Sequence, residues 1–173
     1  ENSEEAVDKV YKNEKIINAL EKDITDYLVE LSQLDLPEED IKLFSSTYHV
    51  INDIERIGDH AENIADLAVE KMSKGIHLGD TAKEELKLIF DKTVEAIEIA
   101  IDSYNNKKLD APKSLEVAEE EIDRLEKKLR ENNIKRLNEK HCSAASSVVF
   151  LDLISNLERI GDHANNIGHS GRK

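Results

Sequence analysis

Tryptophan is absent, aromatic side chains make up 4 % of the chain, and two prolines are spread over 173 residues. So little ring area and so few breaks, in a sequence rich in Ala, Glu, Lys and Leu, point away from a β-sandwich and towards long helices. The single cysteine, Cys142, rules out an intrachain disulfide framework and fits a reducing compartment. No apolar run approaches the roughly 20 residues that cross a bilayer, and the opening stretch ENSEEAVDKV lacks the features of a secretory signal. There is no P-loop, dinucleotide fingerprint, HExxH or GxSxG. Bases are also in deficit, 24 against 38 acids, for a formal charge of −14. A phosphate backbone repels such a chain, so nucleic acid is excluded as a partner and cations are its natural small ligands. These features predict a cytosolic chain with no membrane insertion of its own. The missing initiator Met makes it read as a fragment or processed form.

What is present is apolar spacing of period 3.6 with helix punctuation. The first helix is expected from about Glu4 to Ser32, carried by Val10, Ile17, Leu20, Ile24, Leu28 and Leu31. QLDLPEED ends it. Asp35 is placed to N-cap the second helix, with Glu38 completing a capping box and Pro37 tolerated in the first turn. That helix is predicted to reach Lys74, with Gly75 as its C′ residue. Asp80 or Thr81 caps a third helix running to about Tyr104. NNKKLDAP, with Asp110 before Pro112, separates it from a fourth that reaches about Glu139. KHCSAAS precedes a fifth that begins near Ser143. No period-2 alternation appears, so the fold class is all-α, an antiparallel helical bundle.

The chain repeats itself. IERIGDHAENI at 54–64 and LERIGDHANNI at 157–167 agree at nine of eleven positions, at an offset of 103. Upstream, EKIINALEKDI at 14–24 is matched more weakly by EEEIDRLEKKL at 119–129, at an offset of 105. Duplication explains both. The expected division is a first repeat of two helices over 1–75 and a second of three helices over 76–173. The first repeat has then lost its leading helix from a chain that continued upstream, and the early stop at GHSGRK reads as a truncation.

At about 100° per residue, Ile54, Ile57, Ala61, Ile64, Ala65 and Ala68 share one apolar stripe. Glu55, Asp59, Glu62 and Asp66 fall opposite it, with Asn52 and Asn63 at the flank. Glu158, Asp162, Asn166 and, on the flank, Asn165 repeat the arrangement. Like charges four residues apart repel by a few tenths of a kcal/mol, so a duplicated Glu-x-x-x-Asp beside amides is accounted for by a shared cation, such as Fe, Mn or Zn. The candidate ligands are Glu55, Asp59, Glu158 and Asp162. Additional ones are Asn63, Asn166, Asp66 and His169 on the same helices. Glu14 and Asn18, matched by Glu119 and Asp123, lie on the preceding helices. A solvated acidic face paired with Arg56 and Arg159 is the plainer alternative. His60 and His163, at the edge of the apolar stripe, read as inter-helix hydrogen-bonding residues. Gly58 and Gly161, costing about 1 kcal/mol each in mid-helix, leave room for another helix or a cluster near the backbone. Cys142 reads as a thiol near a helix N-terminus rather than a nucleophile.

NDIERIGDHAENIADLA and NLERIGDHANNIG resemble the two signature helices of PhoU-type proteins, with Glu55/Asp59 and Glu158/Asp162 in the positions of the family's ExxxD motif. NNIKRLNEKHCSAASSVVFLDLISNLERIGDHANNI is similar to the C-terminal cytosolic PhoU-like domain of bacterial sodium/phosphate cotransporters. The resemblance covers essentially the whole chain. It implies two similar three-helix bundles with metal clusters, iron or zinc, on the motif surfaces. It also implies a non-catalytic regulatory role in phosphate transport, with the membrane domain of a phosphate transporter as partner. The location implied is cytoplasmic, held at the membrane through that transporter. The first bundle is incomplete unless a partner chain, as in a homodimer, supplies a helix. The alternative function is a metal-free helical interaction module that binds a basic partner surface. Hydrolysis by metal-bound carboxylates is disfavoured, since no separate general acid or base converges with them.

Overall fold

A computed structural model describes residues 3–106 and 111–170, and within them five helices: α1 (Ser3–Leu31), α2 (Glu38–Ser73), α3 (Asp80–Asn106), α4 (Ala111–Asn138) and α5 (Ala144–Ser170). No strand occurs among the described residues. None of these helices is long and apolar enough to cross a membrane. Asp110, expected in the break before α4, lies outside the described residues.

Helix ends follow local chemistry with one departure. α2 begins at Glu38 with Pro37 in the N-cap position and no side-chain cap. Asp35 therefore does not cap the helix: it stands two residues too early, because Pro37 adopts an extended ψ of 152° and delays the first turn. Acids at Glu38, Glu39 and Asp40 meet the exposed N–H groups of that turn instead. At the other end, Ile76 N–H donates to Lys71 O at 2.9 Å while Gly75 takes φ 62°, the left-handed turn that glycine accepts without strain. α4 closes in the same way, His141 N–H to Arg136 O at 2.8 Å, but there Lys140 holds the left-handed position at φ 59°. Ser143 caps α5 through its Oγ, 3.1 Å from Ser146 N–H.

Neighbouring helices run antiparallel in the order α1–α2–α5–α4, and α3 lies on α4 and α5 without touching α1 or α2. The central pair α2/α5 is fixed at its ends and middle by Ser46 to Ser170 O (2.6 Å), His163 to Asp53 (2.8 Å) and His60 to Asn156 (3.1 Å). The densest packing lies in the second half, where Ile89 of α3, Leu115 and Ile122 of α4, and Phe150 and Ile154 of α5 are all fully buried. Arg136 crosses the Phe150 ring at 5.1 Å and sets its guanidinium 2.7 Å from Glu85 of α3, without the alignment of a hydrogen bond. Asn133 donates to Ser147 at 2.6 Å, satisfying two buried polar groups at that end.

The two repeats share their close contacts. Ile17 of α1 lies over Gly58 of α2, and Ile122 of α4 over Gly161 of α5, preserving both offsets. An added Cβ would stand 3.4 Å from Ile17 and 2.9 Å from Ile122. Gly161 thus lets α4 close on its motif helix, whereas a Cβ at Gly58 would make ordinary contact with α1.

Candidate metal centre

That close approach decides where the acids sit. The stripe opposite the core was expected to face solvent. Instead α1 runs along it in the first repeat and α4 in the second, so the carboxylates line two partly buried inter-helix seams. Helix α2 has neighbours on two sides, α5 and α1, and a one-sided stripe cannot express that.

Among the described residues, two groups bring carboxylate oxygens within 4.8 Å of one another: Glu14, Asp59 and Glu62 in the first seam, and Glu119, Asp123 and Asp162 in the second. Glu14 and Glu119 come from the preceding helices at matching positions, and Asp59 and Asp162 from the motifs. The third member differs. Glu62 corresponds to Asn165, and Asp123 corresponds to Asn18, so each seam replaces one acid with an amide and regains an acid at another position. Asn18 donates to Glu14, which is buried, in the first seam. In the second, the Oδ1 of Asn165 is buried without a hydrogen-bond partner.

Crowded carboxylates raise one another's proton affinity, and burial adds to it. Burial and the adjoining Asp162 and Asp123 push Glu158 up to about 7. Glu158 also lies within hydrogen-bonding reach of Asp123. Burial, followed by Asp123, raises both Glu119 and Asp162. In the first seam burial and Asp59 raise Glu55, while Glu62 is raised by desolvation and then by Glu14. Arg56 stands 3.9 Å from Glu55 and 3.8 Å from Asp59, exposed, and compensates little of this charge.

The other predicted ligands are held elsewhere. Asp66 accepts a hydrogen bond from Tyr11 at 2.5 Å, and that bond pushes the phenol up to about 12. At the equivalent place His169 has Nε2 3.0 Å from Glu116 and Nδ1 2.9 Å from Asn165 O, so both ring nitrogens are engaged. Asn63 donates to Asn156 at 3.2 Å and Asn166 to Asp53 at 3.3 Å. These two amides flank the acids on the wheel but fall on the side facing the central α2/α5 contact, away from the seams. His60 and His163 lie on that contact too and act as inter-helix hydrogen-bonding groups. Glu62 joins the first group although the duplicated-position criterion passes over it, since its counterpart is an asparagine. Its place on the wheel about 20° from Glu55 is the sequence signal for it.

Both groups offer oxygen alone, with no thiolate or imidazole, which suits hard and borderline cations. Polar seams of clustered, proton-attracting carboxylates are also costly without a counter-charge. The residues fit a cation in each seam.

A duplicated all-helical unit with an acidic seam in each half defines the class. Within it the chain belongs to the PhoU domain family, whose domain matches residues 1–68 and 86–170. It is similar to the phosphate-specific transport system accessory protein PhoU homolog 1 of Thermotoga maritima, 28 % identical over 160 residues, which is 92 % of this chain and 68 % of that protein. A PhoU homolog of Clostridium acetobutylicum is 26 % identical over 169 residues, 96 % of this chain and 76 % of that one. In three dimensions it resembles PhoU from Pseudomonas aeruginosa, with a TM-score of 0.90 at 24 % identity over 98 % of this chain and 80 % of that one. The phosphate transport system regulatory protein PhoU from Streptococcus pneumoniae gives 0.83 at 20 % identity, over 96 % and 77 %.

Proposed function

We propose that the chain is a non-catalytic regulatory domain of a phosphate-transport system that binds metal ions in its two acidic seams. The accessory role follows the kind of protein that its relatives are named for. Its partner is the membrane domain of a phosphate transporter, of the sodium/phosphate cotransporter type, on the cytoplasmic side. The observation that carries metal binding is a three-carboxylate group in each seam, Glu14/Asp59/Glu62 and Glu119/Asp123/Asp162, in which Glu14 matches Glu119 and Asp59 matches Asp162. Of iron and zinc, iron fits the all-oxygen donor sets better, because zinc favours nitrogen and sulfur ligands. Glu55 and Glu158, at the edges of the groups, complete the sets.

Elemental analysis of protein purified without chelator tests this. The expected result is metal in both halves, with Asp59→Asn/Glu62→Gln removing it from the first alone and Asp123→Asn/Asp162→Asn from the second alone. Metal-free protein that still binds its transporter would replace this reading with the metal-free interaction module.

A further inference from the structure

Among the described residues the two halves of the fold are joined by one pair of helices, α2 against α5. The hydrogen bonds across that pair gather on two side-chain oxygens. Asp53 Oδ1 takes His163 at 2.8 Å and Asn166 at 3.3 Å, and Asn156 Oδ1 takes His60 at 3.1 Å and Asn63 at 3.2 Å. The acceptors are equivalent positions of the two repeats, and so are the donors, which makes the contact reciprocal. The two imidazoles stack within it, 5.6 Å between centroids.

Three of the four donors come directly after a member of a carboxylate group. His60 follows Asp59, Asn63 follows Glu62, and His163 follows Asp162. Successive residues stand about 100° apart on a helix, so α2 carries its seam ligands on one side and its bonds to α5 on the next. The two sets cannot move independently. Drawing Asp59 and Glu62 in around a cation turns His60 and Asn63 with them. A turn of α2 alone pulls both sets of bonds out of register. The equivalent turn of α5 restores the reciprocal fit and carries Asp162 towards Glu119 and Asp123.

We propose that the α2/α5 contact couples the two seams, so that a cation in one raises the affinity of the other. This rests on the metal-binding reading above and adds regulation to it. The domain then passes from empty to doubly loaded over a narrower range of metal concentration than two independent seams would need.

The test is titration of Mn²⁺, which suits oxygen donors, into the chelator-stripped full chain, with free Mn²⁺ read by electron paramagnetic resonance. Asp59→Asn/Glu62→Gln leaves the second seam alone and Asp123→Asn/Asp162→Asn the first, which gives the binding constant of each in isolation. Loading of both seams in the parent chain should exceed the product of those constants by at least about fivefold, the lower end of coupling between sites. His60→Phe/His163→Phe keeps two rings at the contact but removes both histidine bonds. It should bring the factor to one while each isolated seam keeps its constant. Asn156→Ala, the milder change, should lower the factor, and Asn156→Asp, which preserves the acceptor, should retain it. A factor of one in the parent chain overturns the coupling alone, as does a factor that survives both His60→Phe/His163→Phe and Asn156→Ala. No uptake by either isolated seam overturns the metal reading together with it.

Discussion

His163 holds its Nδ1 2.8 Å from Asp53 Oδ1, and the repeat turns the same bond round: His60 Nδ1 lies 3.1 Å from Asn156 Oδ1. Asp53 and Asn156 are equivalent positions, as are the two histidines, whose rings stack at 5.6 Å between them. Each repeat therefore gives its histidine to the acceptor of the other across an internal pseudo-twofold. Both acceptors require the proton on Nδ1. One bond is charge-assisted and the other is not, so their removal should cost different amounts. Asp53→Ala is expected to destabilise the fold by about 1.5–3 kcal/mol and Asn156→Ala by about 1 kcal/mol, read from urea unfolding midpoints.

The three helix glycines should separate in the same assay. Gly58→Ala gains helix propensity of up to about 1 kcal/mol, and its Cβ would meet Ile17 at an ordinary 3.4 Å. Gly168→Ala would drive a methyl to 1.9 Å from Cδ1 of the fully buried Leu115 and should cost about 1–3 kcal/mol. Gly161→Ala, 2.9 Å from the far end of Ile122, should fall between them. Equal effects at 58 and 168 would contradict the packing described.

Lys140 occupies a left-handed turn at φ 59° where α2 uses Gly75. An L side chain there costs about 1 kcal/mol. Lys140→Gly should therefore raise stability by up to about 1 kcal/mol, seen as a higher Tm, whereas Gly75→Lys should lower it by a similar amount.

Glu158 gives the metal-free chain a pH dependence. Its proton is held up to about 7, against 4.5 for the free side chain, chiefly through burial. Between about pH 4.5 and 7 the folded state binds more protons at this group than the unfolded chain does, so its contribution to stability falls as pH rises. The penalty is absent below that window and complete above it. Glu55, Glu119 and Asp162, also raised, act with the same sign. Glu158→Gln should therefore gain Tm over the parent protein progressively from pH 4.5 to 7, and a bound cation should erase most of that difference. A Tm difference that is flat with pH would count against the raised proton affinity.

The helices and the duplication were legible in the sequence because they are written in short-range spacing. Ile17, Leu20 and Ile24 repeat at three- and four-residue steps, and the ERIGDH phrase recurs at a fixed offset. Gly75 was readable as a helix end because one residue's backbone preference decides it. Glu55, Asp59, Glu158 and Asp162 were legible as one stripe per copy, since i and i+4 fall on the same face of any helix.

Tertiary structure decided what that stripe faces. A helical wheel separates an apolar side from a polar one but cannot say that α2 has one neighbour over its glycine and another at its histidine. Only the approach of α1 to α2 and of α4 to α5, the latter permitted by Gly161, brings Glu14 to Asp59 and Glu119 to Asp162, adds Glu62, and turns a surface stripe into a seam. The crossing of α2 on α5 likewise gave Asn63 and Asn166 to the inter-helix contact, while Tyr11 and Glu116 engaged Asp66 and His169. Those assignments depend on residues tens of positions apart meeting in space, which periodicity along one helix does not encode.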